Sequence, residues 1–222
     1  MRIVSVLGSP HGGRGNTARL VASVLNAAAK AGAELIEFSL ATVRVEPCRA
    51  CEVCHRTGEC PIDDDYKKVR DAISMADAVV LASPNYMFSV TAQMKALIDR
   101  LSGPLHCQML MGRYGAAVVT AGSDSAEVEQ YLLRFLRAMG CWTVGSVGAS
   151  APEMFDSGAF ERKVTEAKEL GRALVHAIRE RQTFPEQEAE RRAFFERIKA
   201  LILHRRDDWQ HEYNYWLSQG QL

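Results

Sequence analysis

A chain of 222 residues that is 47% hydrophobic and 24% charged has the composition of a soluble globular protein, long enough for one well-buried domain plus an appendage. Its 27 basic and 27 acidic side chains cancel, and no long basic run occurs, so nothing draws in nucleic acid or an anionic membrane. No stretch approaches the roughly 20 apolar residues of a membrane span, and the opening run is too short for a secretory leader, so a cytoplasmic location is expected.

The predicted elements alternate. Arg2 to Leu7 reads as a buried strand, and Gly8-Ser9-Pro10-His11-Gly12-Gly13-Arg14-Gly15 as a glycine-rich loop. Asn16-Thr17 opens a helix to about Gly32, with Leu20, Val24 and Leu25 on one face, and Ala33 to Leu40 is a second strand. Pro47 to Pro61 interrupts the pattern with four cysteines. Asp63-Asp64-Asp65 then caps a helix to about Met75, its acid groups in solvent rather than on a metal. Ala78 to Ala82 is apolar throughout, as a central parallel strand should be, and ends at Ser83-Pro84-Asn85-Tyr86. A helix over Thr91–Leu101, a strand over Gly115–Thr120, a helix to Met139, a strand over Cys141–Val147 and a helix over Phe160–Arg179 complete the set. Strands alternating with helices imply one parallel sheet covered on both faces.

Pro185 marks a boundary. Residues 1–182 are expected to form the main domain, with 47–61 as an insertion, and 183–222 a helical extension. In that extension residues 186–204 place Phe194, Phe195, Ile198 and Leu201 on an apolar stripe, followed by an aromatic tail with Trp209, Tyr213, Tyr215 and Trp216.

The first loop suits a phosphate. It leads into a helix N-terminus, whose free amides and positive dipole end favour an anion, while Ser9, Asn16 and Thr17 add side-chain donors. It is neither G-x-G-x-x-G nor a Walker A loop, since Arg14-Gly15 follow Gly13 where Lys-Ser/Thr would stand. A neutral, hydroxyl-rich cradle fits a phosphate held as an anchor rather than transferred.

These residues bring a family into view. Gly8-Ser9-Pro10 with Gly15-Asn16-Thr17 resembles the FMN-phosphate loop of the NAD(P)H-dependent FMN reductase group of the flavodoxin-like superfamily. Ser83-Pro84-Asn85-Tyr86-Met87-Phe88, followed by Lys95 and Asp99-Arg100, is similar to that group's second signature, where the loop lies along the isoalloxazine ring. Thr120-Ala121-Gly122-Ser123 stands where its third ring-contacting loop follows the fourth strand. The resemblance covers roughly residues 1–180 and implies a doubly wound five-stranded α/β sheet of order 2-1-3-4-5. It further implies FMN held by Ser9, His11, Gly15, Asn16, Thr17, Pro84, Asn85, Tyr86, Met87, Phe88, Thr120, Ala121 and Gly122. The physics agrees, because ligands of such sheets bind beyond the carboxyl ends of the strands, at the switch in strand order. Tyr86 and Phe88 offer flat surface to a ring, and backbone amides near Asn85 and Tyr86 are expected to reach its polar edge.

The cysteines follow C-x2-C-x2-C-x5-C: Cys48, Cys51, Cys54 and Cys60. In a reducing compartment such a run points to a metal or a redox group rather than structural disulfides. Structural zinc usually takes two separated C-x2-C knuckles, whereas one compact run favours iron. The pattern resembles that of the iron–sulfur flavoproteins, by which match the four would ligate a 4Fe–4S cluster. Zinc, a redox disulfide and free thiols stay open. His55, inside the run, is an alternative ligand; Cys141 reads as a buried small hydrophobe, and Cys107 has no assigned part.

Three functions compete at this point. The first is an oxidoreductase coupling the cluster to FMN, in a homodimer or homotetramer, with ferredoxin or another one-electron carrier as partner. The second is a cluster-free FMN or quinone reductase using NAD(P)H. The third is a zinc-stapled module without turnover.

Overall fold

A computed structural model describes residues 1–222. The five apolar runs become β1 (Arg2–Leu7), β2 (Glu34–Ser39), β3 (Ala78–Pro84), β4 (Tyr114–Ala121) and β5 (Trp142–Ser150). All pair in parallel in the order β2-β1-β3-β4-β5, as expected. Every residue of β4 is buried, because layers of helices cover both faces. Edge strand β2 instead exposes Glu34 and Glu37, charges that discourage further strand pairing there.

Helices α1 (Asn16–Lys30) and α8 (Ser157–Glu180) cover one face, and α3 (Tyr66–Ser74), α4 (Ala92–Arg100) and α6 (Ala126–Ala138) the other. On the first face Leu20, Val24, Leu170 and Leu174 pack with Val80 and Val118, each such side chain contributing about 1.5–3 kcal/mol by leaving water. Helices α1 and α8 lie so close that a Cβ on Gly171 would stand 2.1 Å from the Val24 carbonyl oxygen. On the second face Met94, Leu97, Leu132 and Leu136 meet Val79 and Leu81.

Three short helices were not foreseen. They are α2 (Val53–Thr57) within the cysteine run, α5 (Ser102–His106) directly after α4, and α7 (Ala151–Phe155) after β5. Each has only five residues, too few to show a hydrophobic period.

The extension forms α9 (Pro185–His204) and α10 (Gln210–Ser218) around a satellite core of Ile198, Ile202 and Trp216. Here the expected stripe is corrected. Ile202 is fully buried and Leu201 is 36% exposed, because the face that meets Trp216 follows the four-residue step from Ile198. Helix α10 turns back onto α2, so the extension packs against the cysteine insertion of its own chain.

Candidate functional site

The order reversal places the carboxyl ends of β1 and β3 side by side, with that of β4 next to them. Three loops leave this edge and are tied to one another. The Gly8 amide donates to the Ala82 carbonyl (2.7 Å), and the Thr91 hydroxyl donates to the Gly8 carbonyl (2.6 Å). A Cβ on Gly8 would lie 2.8 Å from that of Met94, so glycine is what allows the first loop to lie on α4.

Ser9 and Thr17 are buried, whereas His11 is exposed. The Ser9 hydroxyl accepts from the His11 amide at 3.3 Å. Helix α1 is capped by Gly15, which has no side chain to turn inward, and its first turn holds no acidic residue. The amides of Asn16, Thr17 and Ala18 therefore have no backbone carbonyl partner and face outward with the positive end of the dipole. The Thr17 and Thr120 hydroxyls lie 2.6 Å apart, which joins the first loop to the third. Orphan amides beside two buried hydroxyls suit a phosphate monoester.

The loop after β3 differs from expectation in one respect. The Asn85 amide donates to the Thr120 carbonyl (2.7 Å) and that of Tyr86 to Ser89 (2.8 Å), so neither is free for a ring. The amides of Met87 and Phe88 have no backbone partner and take that place. Met87 (φ 50) and Phe88 (φ 65) are in the left-handed region, at about 1–2 kcal/mol each for an L-residue. That tight turn projects Met87 and Phe88 outward, 88% and 82% exposed, with Tyr86 at 45%; none of the three is core packing. Pro84 is half-buried at the strand end, Asn85 donates through its side-chain amide to the Asp124 carbonyl (3.1 Å), Ala121 is buried and Gly122 is exposed. The thirteen residues expected to hold a flavin thus lie on three hydrogen-bonded loops at one sheet edge.

The cysteine run follows β2. Its chain passes through left-handed Ala50 (φ 50) and Glu52 (φ 57), turns that fold Cys48, Cys51, Cys54 and Cys60 around a cavity of about 200 Å³. All four thiols are unpaired. The Cys60 sulfur accepts from Nη2 of Arg100 at 3.2 Å, and that of Cys48 from the Ala50 amide at 3.4 Å. Burial, followed by the nearby Cys60, Glu212, Cys48 and Cys51, pushes the Cys54 thiol up to about 11. Four thiols lining one cavity can offer their sulfurs to a single metal centre. His55 lines the same cavity, and its Nδ1 is engaged by the Glu212 carboxylate. Cys141 is buried, as expected, and burial pushes its thiol up to about 12; Cys107 is buried as well.

The acidic triplet also departs from expectation. Asp65 stands at the N-cap of α3 but gives no side-chain cap bond; Asp64 takes that role, accepting from the Tyr66 amide at 3.1 Å. The Asp64 side chain is wholly buried rather than solvated, because Arg100 pairs with it and the Glu46 amide donates to it at 2.7 Å. Burial pushes its carboxyl up, but the bonds from Arg100, Glu46 and Tyr66 outweigh this and hold it below the usual range. Arg100 also donates to the Glu46 carbonyl (3.2 Å) and lies over the Tyr66 ring, whose hydroxyl donates to the Arg100 carbonyl (2.6 Å). This brace of the cysteine loop was hidden in the sequence, where a cation at a helix C-terminus reads simply as a dipole partner.

Comparison with known proteins agrees with this geometry. The family model for NADPH-dependent FMN reductase matches residues 1–156. An iron–sulfur flavoprotein of Archaeoglobus fulgidus is 30% identical over 223 residues, covering 99% of each chain. Another, of Methanocaldococcus jannaschii, is 40% identical over 130 residues, covering 58% of this chain and 66% of its own. Among solved structures, an NADH:FMN oxidoreductase superposes with a TM-score of 0.59 at 24% identity, covering 83% of this chain and 92% of its own. A flavodoxin from the domain Archaea gives 0.55 at 16%, covering 81% and 99%. The last two are likenesses of fold.

Proposed function

Because the chain belongs to the NADPH-dependent FMN reductase family, in its iron–sulfur flavoprotein branch, we propose that this flavin-dependent oxidoreductase couples FMN to a 4Fe–4S cluster on Cys48, Cys51, Cys54 and Cys60. The observation that carries the cluster is the convergence of four unpaired thiols on one cavity.

In this reading the orphan amides of α1, with Ser9 and Thr17, hold the FMN phosphate, and Gly15 lets it approach the backbone. His11 and Asn16 flank it. Pro84–Phe88 with Thr120, Ala121 and Gly122 would hold the ring, and the free amides of Met87 and Phe88 would be donors for its polar edge. When bound, FMN exchanges electrons singly or in pairs and the cluster one at a time, so together they link one-electron carriers to two-electron chemistry. The chain's own residues bind and orient; Arg100 and the Ala50 amide direct N–H groups at two of the sulfurs, contacts that tune a cluster's potential.

The electron partners in this proposal are NAD(P)H and ferredoxin or another one-electron carrier. The proposal includes a homodimer or homotetramer, in which a second copy would cover the apolar surface that Met87 and Phe88 leave exposed beside the flavin. We further assign residues 1–182 to the flavin domain and 183–222 to an extension that serves the cysteine insertion, since α10 packs on α2. No helix is long and apolar enough to cross a membrane, and the thiol-rich site suits the reducing cytoplasm.

Protein purified without oxygen should contain FMN, with iron and acid-labile sulfide in equal, cluster-sized amounts. Flavin without iron would establish the cluster-free reductase instead, and zinc without flavin the stapled module. In the phosphate loop, Thr17→Ala should weaken FMN binding by about 1–3 kcal/mol and Thr17→Ser should restore it, as followed by flavin fluorescence. Unchanged affinity in the alanine variant would remove this loop from the phosphate site.

A further inference from the structure

Beside the cysteines lies a second cluster that the reading above leaves unused. Helix α10 carries Glu212 into contact with α2 and α5, where its side chain is fully buried. Its Oε1 is hydrogen-bonded to Nδ1 of His55 and lies 3.2 Å from Nδ1 of His106. Its Oε2 is sealed from solvent and has no partner at all. Trp209 closes the side of the group, its ring 4.6 Å from that of His55 and 4.8 Å from that of His106. The histidine side chains are only 10% and 14% exposed.

Two imidazole nitrogens and a carboxylate oxygen lie within 4.8 Å of one another. A buried carboxylate with an idle oxygen is costly, and here the only polar groups that reach it are two imidazoles crowded on the other oxygen. A cation would use both oxygens and both nitrogens at once. We propose that His55, His106 and Glu212 form a binding site for a single divalent transition metal, for which zinc is the best chemical match. Zinc accepts two histidines and a carboxylate, and Oε2, buried and without a partner, is the oxygen the present contacts leave idle.

The three ligands come from elements far apart in sequence: the cysteine loop, the segment after α4 and the extension. A metal there would fasten α10 to α2 and α5, adding to the Arg205–Glu52 ion pair (2.8 Å) and the Trp216 indole bond to the His106 carbonyl (2.9 Å). Its role is therefore structural, fastening the C-terminal extension to α2 and α5. The site does not depend on what the four cysteines hold.

The test is an anaerobic titration of the flavin- and cluster-loaded protein with cobalt(II) alone, read by its visible ligand-field bands, followed by competition with zinc. One cobalt per chain is expected, without a thiolate-to-cobalt charge-transfer band, and displaced by zinc. His106→Gln and Glu212→Gln should each weaken binding by more than about a hundredfold, with flavin, iron and sulfide contents unchanged. His106→Gln keeps a hydrogen-bonding side chain of similar size, so it decides the matter if the Glu212 variant does not fold. Zinc found in the protein as purified and missing from His106→Gln would count equally in favour. Absence of bound cobalt and zinc, equal binding by His106→Gln, or a thiolate charge-transfer band would overturn the site. Loss of the cluster with this metal retained would count against the cysteine assignment and leave this one standing.

Discussion

Cys51→Ser protein purified without oxygen is expected to keep its FMN and to lose its iron and sulfide. Cys51 sits between the left-handed residues Ala50 and Glu52, so its sulfur is delivered to the cavity by a turn that nothing in the flavin loops supports. Serine removes one of four soft ligands without changing size by much, and an alkoxide is a poor substitute for a thiolate on iron. The flavin loops hold each other through Gly8–Ala82, Thr91–Gly8, Thr17–Thr120 and Asn85–Thr120 bonds, none of which involves the cysteine insertion. Flavin and metal analysis of the same preparation checks both halves. If flavin and iron always leave together, the two sites are not independent and the separation drawn above is wrong.

The second large effect concerns Arg100. Arg100→Met should destabilise the fold by about 3–5 kcal/mol, because it leaves the Asp64 carboxylate buried without its counter-charge. The Asp64 side chain is 0% exposed and that of Arg100 1%, so water cannot take over the lost interaction. The double variant Arg100→Met with Asp64→Asn should recover part of the loss, since no naked charge then remains inside. Urea unfolding at fixed flavin concentration measures both, and the coupling between the two substitutions isolates the pair. A loss below about 1 kcal/mol for the single variant would show the pair behaving as a solvent-screened one.

The alternation of apolar strands with amphipathic helices was enough to anticipate the parallel sheet, because burial on both faces leaves near-continuous apolar runs such as Ala78–Ala82. The glycine loop, the Ser83–Phe88 segment and the cysteine spacing were likewise plain, since each is local: its chemistry depends on neighbours a few residues away. What local pattern could not convey was which polar groups already had partners. The Asn85 and Tyr86 amides looked available until Thr120 and Ser89 were found on them, and Asp64 looked solvated until Arg100 was found beside it.

The meeting of His55, His106 and Glu212 belongs to the same class of fact. Separations of 51 and 157 residues from His55 leave no periodic trace in a sequence, and an isolated glutamate in a polar helix reads as surface. Composition and spacing thus decided the sheet, its loops and the run of thiols, because hydrophobic burial and turn chemistry are written in short stretches of chain. Packing alone decided how the extension returns to the cysteine loop, because a contact between distant elements exists only once both have been placed.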